Sequence, residues 1–241
     1  NQNSKGHIIT IEDPIEFVYP AWTCLITQRE VWENTKSFHS WLMDALRQAP
    51  NILVIWELRD EETIRIAIDA ALTWHLVFAT FHAWSAVETI EWIIERWGWW
   101  DIKHSLSEWL VAICAQKMIR YKDIKTWNYK KQTAIEYLWK SQAVESLIKW
   151  PKEQMKQINS ELLRNPNVSL ENSLFKMVFE WKISYSAAFN DMKNKVKKIE
   201  DFKERIKNYI ENNSIDKRLI EICNRIEVEL WEWQNSPFII K

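Results

Sequence analysis

The stretch from residue 51 to residue 86 constrains the fold more than any other part of the chain. Ile52–Ile55 is a short apolar run, typical of a strand that is buried on both faces, and residues 75–80 form a second such run. Between the two runs, apolar side chains recur at helical spacing. They are Ile64, Ala67, Ile68, Ala71 and Leu72. A strand, a helix and a second strand in this order predict a βαβ unit with parallel strands.

Ionisable side chains follow each of three predicted strands. Glu57 follows the first strand of the βαβ unit and His82 lies at the end of the second, while a strand near the start of the chain runs into Glu12 and Asp13. In open α/β sheets, ligands bind beyond the carboxyl ends of the strands. We therefore expect these side chains to share one edge of the sheet as a functional site. The alternative is that polar loops simply follow most strands.

Several separate motifs carry a family resemblance. They are IITIEDPIEFV from residue 8, QREV at 28–31, ALRQAPNILVIWELRD from 45, ETIRIAIDAALTWHLVFATFHAWSA from 62 and LSEWLVAICAQKMI from 106. In this order they resemble the PilT family of pilus-retraction (twitching motility) ATPases, which are secretion ATPases with a RecA-like core. Residues 11–16 resemble the family's Asp box, 52–60 its Walker B segment and 74–82 its His box. The resemblance covers roughly residues 1–190 and implies ATP and Mg²⁺ as cofactors.

The resemblance also implies catalytic roles. It gives Glu57 the Walker B role, in which the carboxylate holds Mg²⁺ through water or orients the attacking water. Glu16 is the candidate for polarising that water, and a solvated carboxylate on an edge strand is the alternative. Glu12 and Asp13 would support the metal shell, because Mg²⁺ prefers oxygen ligands. His82 is implied in phosphate sensing or in coupling between subunits.

Three further residues are candidates for supporting the nucleotide. Arg47 and Arg59 have guanidinium groups that suit phosphate or Glu57, and an ordinary ion pair explains each equally well. His75 is either a nucleotide contact or a satisfied histidine at the start of a strand. Because His75 and His82 point to opposite faces of a strand, we do not expect them to share a metal ion. No metal site built from protein side chains is expected.

A phosphate-binding loop is missing from the sequence. No G-x-x-x-x-G-K-[ST] motif occurs, even if every tryptophan is read as glycine. The family carries this loop upstream of its Asp box. We therefore expect the chain to be the carboxyl-terminal part of a motor that does not hydrolyse ATP by itself. The alternative is a non-catalytic structural or regulatory paralogue without the loop.

The direction of the implied motor depends on two features. Pilus-assembly and type II secretion ATPases usually carry a zinc-type cysteine cluster, whereas this chain has three cysteines and no C-x-x-C. Residues 143–149 (AVESLIK) resemble the AIRNLIRE helix of retraction enzymes, with Glu145 in place of arginine. The resemblance therefore favours retraction, and a plain amphipathic helix is the other reading of 143–149. It implies a cytoplasmic homohexamer that acts with the pilus machinery at the inner membrane.

Charge and hydropathy narrow the possible partners. A net charge of −1 gives no electrostatic case for nucleic acid. No apolar run reaches about 18 residues, the length needed to span a membrane. The three cysteines have no paired spacing and indicate reduced thiols.

We expect an α/β fold whose core is a RecA-like, mainly parallel sheet without the strand of the phosphate-binding loop. The expected domains are the ATPase core in residues 1–140, a helical subdomain in 141–190 and a helical hairpin extension in 191–241. Strands are predicted at 16–19 and 25–30, and an antiparallel pair at the sheet edge in 113–119 and 129–138. Helices are predicted at 36–48, 85–96, 105–111, 142–147, 151–163, 169–180 and 184–190. The hairpin packs on its own core or docks a partner.

The composition is inverted for two residue types. The chain has 2 glycines and 17 tryptophans, whereas an average chain of this length carries about 17 glycines. Trp32, Trp56, Trp74 and Trp181 stand where the family has glycine, whose backbone freedom tryptophan lacks. Selection would not make this exchange along a whole chain, but a translation rule would. We therefore expect that UGA encodes glycine in the source organism, and that tryptophans here lie exposed or crowded at turns.

Overall fold

The chain forms two compact units. A computed structural model describes residues 5–20, 22–31, 38–97, 100–122, 128–149, 155, 157–162, 168–179, 185–192 and 199–212. The first unit contains residues 1–112 and 140–158, and the second contains 113–139 and 159–241. The bounds of these units differ from the expected domain boundaries at residues 140 and 190, because residues 113–139 cluster with the chain that follows residue 159.

Four parallel strands form the sheet of the first unit. They are β1 (His7–Glu12), β2 (Leu25–Glu30), β3 (Ile52–Ile55) and β4 (Leu76–Ala79), in the spatial order β2-β1-β3-β4. Ile11 lies opposite Ile55 in the register of β1 and β3, and Ile55 lies opposite Ala79 in that of β3 and β4. The all-parallel pairing confirms the predicted α/β class with a mainly parallel sheet.

Five helices with described bounds belong to the first unit. They are α1 (Phe38–Leu46), α2 (Glu61–Leu72), α3 (Ala86–Trp97), α4 (Trp100–Trp109) and α5 (Gln142–Lys149). Apolar side chains of α1 and α2 pack on the sheet, with Leu42 and Ala70 fully buried against Ile9, Leu53 and Ile55. Burial of each large aliphatic side chain stabilises the fold by roughly 1.5–3 kcal/mol. The spacing thus predicted the helix correctly and its buried face in part. Ile64 and Ala67 are buried as expected, Ile68, Ala71 and Leu72 are partly exposed, and the buried face also includes Thr63, Ile66 and Ala70.

Side-chain and backbone caps fix both ends of α2. The Oδ1 atom of Asp60 accepts a hydrogen bond of 2.8 Å from the Thr63 amide, and this caps the amino end. At the carboxyl end, the amide of Trp74 donates to the carbonyl of Ala71 and the amide of His75 donates to that of Ala70. This pair of bonds is a Schellman motif, which ends a helix by turning one residue into the left-handed region.

The second unit contains a separate two-stranded sheet and helices. The strands are β5 (Ala112–Lys122) and β6 (Tyr129–Trp139), which pair with each other. The remaining described helices are α6 (Ile158–Glu161), α7 (Leu170–Phe179), α8 (Tyr185–Met192) and α9 (Ile199–Asn212). Phe175, Phe202 and Ile206 lie in the core of this unit together with Ile119 and Ala134.

Two predictions about strands were wrong. Residues 16–19 form a loop, because the side chain of Gln28 hydrogen-bonds the carbonyl of Phe17 and the amide of Tyr19 in place of a strand ladder. The strands at 113–119 and 129–138 exist, but they form their own sheet and do not extend the parallel one. The predicted strand 25–30 is confirmed as β2.

The helix predictions are confirmed where the structure describes the chain, with shifted bounds. The helix predicted from 105 begins at Trp100, and the first helix of the tail is α9. The second helix of the predicted hairpin lies outside the described residues, as do 151–154, 156 and 163 of the helix predicted at 151–163. None of the described helices has the length and apolar character needed to cross a membrane.

Replacing the capping residue Asp60 should destabilise the chain. In Asp60→Ala the amide of Thr63 loses its acceptor, and we expect the free energy of unfolding in urea to fall by about 1 kcal/mol. Asp69→Ala is the matched control, because Asp69 is an exposed aspartate near the other end of the same helix. Equal losses in the two variants would contradict a specific capping role.

Candidate functional site

The carboxyl ends of β1, β3 and β4 meet at one edge of the parallel sheet. Hydrogen bonds continue beyond the strand ends, from the Trp56 amide to the Ile11 carbonyl (2.8 Å) and from the Thr80 amide to the Ile55 carbonyl (3.1 Å). The Leu58 amide then donates to the carbonyl of Thr80 over 3.0 Å. Residues 56–58 are therefore held at this edge, beside the residues that follow β1 and β4.

Glu57 is the centre of a group of four polar side chains at this edge. Its Oε1 atom accepts a hydrogen bond of 2.7 Å from Nε of Arg59, and its Oε2 atom lies 2.5 Å from Nε2 of His82. Nη1 of Arg59 donates to Oδ2 of Asp13 over 2.8 Å. We call Asp13, Glu57, Arg59 and His82 the rim cluster. It joins the predicted ends of all three strands.

The rim cluster combines a well-shielded carboxylate with exposed partners. The side chain of Glu57 is 17% exposed, whereas that of His82 is 88% exposed. Arg59 places one positive charge between two carboxylates, and its hydrogen bond to Glu57 is the main cause that raises the pKa of Arg59 above its ordinary value. The guanidinium therefore stays charged and fixes the orientation of Glu57.

Glu12 has partners of a different kind. It is 6% exposed, and its Oε1 atom accepts hydrogen bonds from Oγ1 of Thr10 (2.7 Å) and from Nε2 of Gln28 (2.9 Å). Gln28 in turn holds the loop at Phe17 and Tyr19. Glu12 therefore links the end of β1 to β2 and to the connection between them, and it makes no hydrogen bond within the rim cluster.

The structure does not bring the other predicted residues into the rim cluster. Glu16 is exposed in the loop after β1 and accepts no hydrogen bond from the described part of the chain. Arg47 follows α1, and its Nη1 atom lies 4.0 Å from the carboxylate of Asp44. This contact agrees with the alternative of an ordinary ion pair. The proposed contact of Arg47 with phosphate stays a prediction.

His75 lies on the side of the sheet where the strands begin. It immediately precedes β4, and its Nδ1 atom is 3.1 Å from the carbonyl of Ala70 and from Oγ1 of Thr73. These contacts agree with the alternative of a satisfied histidine at a strand start. Arg47 lies on the same side, because it follows α1 and precedes β3.

Two residues of the QREV motif have roles that the sequence analysis missed. Gln28 connects Glu12 to the loop, and Oε2 of Glu30 accepts a hydrogen bond of 2.9 Å from the Ile15 amide. Both residues hold the segment that carries Asp13. The signal was their spacing of two on a strand, which places both side chains on one face.

Glu145 of the AVESLIK segment lies between two lysines. Its carboxylate is 2.9 Å from Nζ of Lys149 and 3.3 Å from Nζ of Lys140. The hydrogen bond from Lys149, followed by that from Lys140, lowers the pKa of Glu145 below its ordinary value. The two lysines are favourable partners for a glutamate at this position, whereas they would repel an arginine.

Comparison with known proteins identifies the family of this chain, although the chain matches only part of the length of its relatives. The profile of the family described as Type II/IV secretion system protein matches residues 1–165. The type IV pilus retractation ATPase PilT of Pseudomonas aeruginosa is 43% identical over 123 residues, which are 50% of this chain and 36% of that protein. The twitching motility protein of Neisseria gonorrhoeae is 38% identical over 165 residues, which are 67% and 42% of the two chains. This chain thus spans less than half the length of these relatives.

Solved structures of two ATPases share the fold. The crystal structure of the pilus retraction motor PilT with bound ADP gives a TM-score of 0.67 at 32% identity, over 78% of this chain and 53% of that chain. The structure of the Legionella pneumophila ATPase DotB gives the same TM-score at 26% identity, over 78% of this chain and 52% of that chain. The parallel sheet is therefore the RecA-like core of the secretion ATPases, and the chain belongs to the type II/IV secretion system protein family.

Proposed function

We propose that the chain is the carboxyl-terminal part of a homohexameric ATPase that drives retraction of type IV pili. The observation that carries this proposal is the position of Glu57, held between Arg59 and His82 where the Walker B strand ends. The names of the similar proteins from Pseudomonas aeruginosa and Neisseria gonorrhoeae support the retraction role. The motor would act in the cytoplasm, with the pilus machinery at the inner membrane.

The residues at the rim fit Mg²⁺ that arrives with ATP. Mg²⁺ usually keeps several waters and takes one or two protein carboxylates together with phosphate oxygens. Asp13 and Glu57 offer such carboxylates, both linked to Arg59. Among the described residues, no three acidic, histidine or cysteine side chains converge as a metal site. This donor set suits Mg²⁺ that is bound mainly by the nucleotide.

Each member of the rim cluster has a proposed role. Glu57 orients the attacking water or a water on Mg²⁺, because Oε1 accepts a hydrogen bond from Arg59 and Oε2 lies against Nε2 of His82. Asp13 supports the metal shell, and the highly exposed His82 senses the γ-phosphate or a neighbouring subunit. We keep Glu16 as the candidate for polarising water and Glu12 as a candidate for the metal shell. Arg47 and His75 would contact nucleotide only from the opposite side of the sheet.

The phosphate-binding loop would come from the part of the protein upstream of this chain. A complete protein that contains the loop and hydrolyses ATP supports the proposal, whereas one that lacks it is the structural paralogue. Deletion of the gene tests the direction of the motor. Pili that extend but do not retract would support retraction, and loss of extension or of protein secretion would indicate an assembly or type II secretion ATPase.

Glu57→Gln should abolish ATP turnover in the full-length protein. The amide keeps the shape of the side chain but loses the charge, and we expect turnover to fall at least 100-fold, roughly the contribution of a positioned acid–base group. Nucleotide affinity, measured by titration with a fluorescent ATP analogue, should change little. Glu61→Gln is the matched control, since Glu61 lies four residues away and pairs with Arg65. Normal hydrolysis in Glu57→Gln would remove Glu57 from the site.

Arg59→Ala should impair turnover more than stability. Because Arg59 is half exposed, its ion pairs contribute at most about 1 kcal/mol to folding, but its loss releases Glu57 from its orientation. We expect turnover to fall about 10- to 100-fold, with little change in urea unfolding.

A double-mutant cycle with Asp13→Asn checks the link between the two carboxylates. Asp13 and Glu57 share Arg59, so the effects of Arg59→Ala and Asp13→Asn on turnover should not add. Arg65→Ala, which breaks only a pair within α2, is the control. Additive effects would show that Asp13 and Glu57 act independently.

A further inference from the structure

Trp74 occupies a backbone conformation that glycine normally fills. Its φ angle is 70°, in the left-handed region where a Cβ atom is unfavourable. It is the residue that follows the C-cap Thr73 in the Schellman motif, and glycine is strongly preferred at that position. The backbone at the carboxyl end of α2 therefore favours glycine at position 74, and this conclusion does not depend on any comparison with relatives.

The side chain of Trp74 gains little from its surroundings. It is 87% exposed, and its ring packs edge-on against Trp109 with the centroids 6.0 Å apart. The partner is itself a tryptophan. A rule that replaces tryptophan by glycine would thus remove both rings together and leave neither without a partner.

Tryptophans in this chain do not behave as core residues. Of the eight tryptophans whose side chains the structure describes, seven are at least 36% exposed and only Trp41 is buried. Tryptophan is highly buried on average in folded proteins. The described core is instead built almost wholly from isoleucine, leucine, valine, alanine, methionine and phenylalanine. The seven exposed tryptophans therefore contribute little to the described core, whereas Trp41 is part of it.

Trp56 gives the inference a functional consequence. It lies between the buried end of β3 and Glu57, and its indole is 41% exposed. Glycine at this position would open the sheet edge beside the rim cluster to a phosphate group. This consequence rests on the proposed function, whereas the arguments from Trp74 and from burial do not.

We infer that UGA is read as glycine in the organism that makes this protein, so that positions 56 and 74 and most of the other tryptophan positions are glycine in the native molecule. UGA differs from the tryptophan codon UGG at one base, and reading UGA as tryptophan turns every glycine that UGA encodes into tryptophan, while glycines from other codons remain. The inverted composition, with 2 glycines and 17 tryptophans, is what such a rule produces.

The gene and the native protein test the inference directly. The expected result is UGA at the codons for positions 56 and 74, and glycine in the corresponding peptides of protein purified from its own cells and analysed by mass spectrometry. The peptide with residues 60–65 contains no tryptophan and serves as the mass control. UGG codons, or tryptophan in the native peptides, would overturn the inference.

Stability measurements test the backbone argument without native material. The background is the full-length protein with glycine at the other tryptophan positions, so that the experiment does not depend on the tryptophan-rich chain folding. At position 74, Trp74→Gly should unfold at a higher urea concentration than Trp74→Ala, because both lose the indole and only alanine keeps a Cβ atom at positive φ. An equal or higher midpoint for Trp74→Ala would overturn the requirement for glycine.

Position 92 is the matched control. Trp92 is also exposed, but it lies inside α3, where alanine is favoured over glycine. The order of the midpoints should therefore reverse, with Trp92→Ala above Trp92→Gly. If Trp56→Gly restores ATP turnover, the result supports the role of glycine at position 56 in phosphate access. If turnover is not restored although the native peptides contain glycine, the result counts against the proposed function and not against the reading of UGA.

Discussion

The parallel alignment of β1, β3 and β4 is the constraint on which the rest of the first unit depends. Because neighbouring strands run in one direction, the residues that follow them meet at one edge, even though Asp13 and Arg59 are 46 positions apart along the chain. The register sets which side chains face the core. A slip of one residue in β3 would exchange the buried Leu53 and Ile55 for their neighbours and would turn Glu57 away from its partners. Core packing thus fixes the geometry of the rim cluster.

The parallel direction of the strands also divides the candidate site residues between the two edges of the sheet. In a βαβ unit the helix returns the chain from the carboxyl edge to the amino edge, so residues that follow a strand and residues that precede one lie on opposite sides. Glu57 and His82 follow strands, whereas His75 precedes β4 and Arg47 precedes β3. Similarity to a motif does not distinguish the two sides, because a motif such as 74–82 crosses the whole sheet. The geometry therefore favours His82 over His75.

Periodicity predicted the elements whose stability comes from burial. The short apolar strand at 52–55 and the apolar face of α2 were found in this way, and the edge that joins Asp13, Glu57 and His82 followed from topology. The bridge from Arg59 to Asp13 depends on the reach of side chains across two loops, which periodicity does not report. The strand predicted at residues 16–19 was wrong for a related reason. Phe17, Val18 and Tyr19 resemble a strand, but Gln28 takes the backbone groups that a strand would pair. The choice of partner for β5 and β6 is also non-local.

Foldable sequences agree with their structure at every level, so a local conflict that recurs is informative. In the first unit the helix caps, the apolar spacing and the strand register agree, as Asp60 and Ser85 show at the starts of α2 and α3. Tryptophan occupies the left-handed position after α2, and seven described tryptophans are exposed. Ala49 also has a positive φ angle, and other apolar side chains such as Val18 and Leu25 are exposed too. Glycine at position 74 would remove the backbone conflict there. None of the four side chains of the rim cluster is a tryptophan, so a different reading of one codon leaves the chemistry of the rim cluster intact.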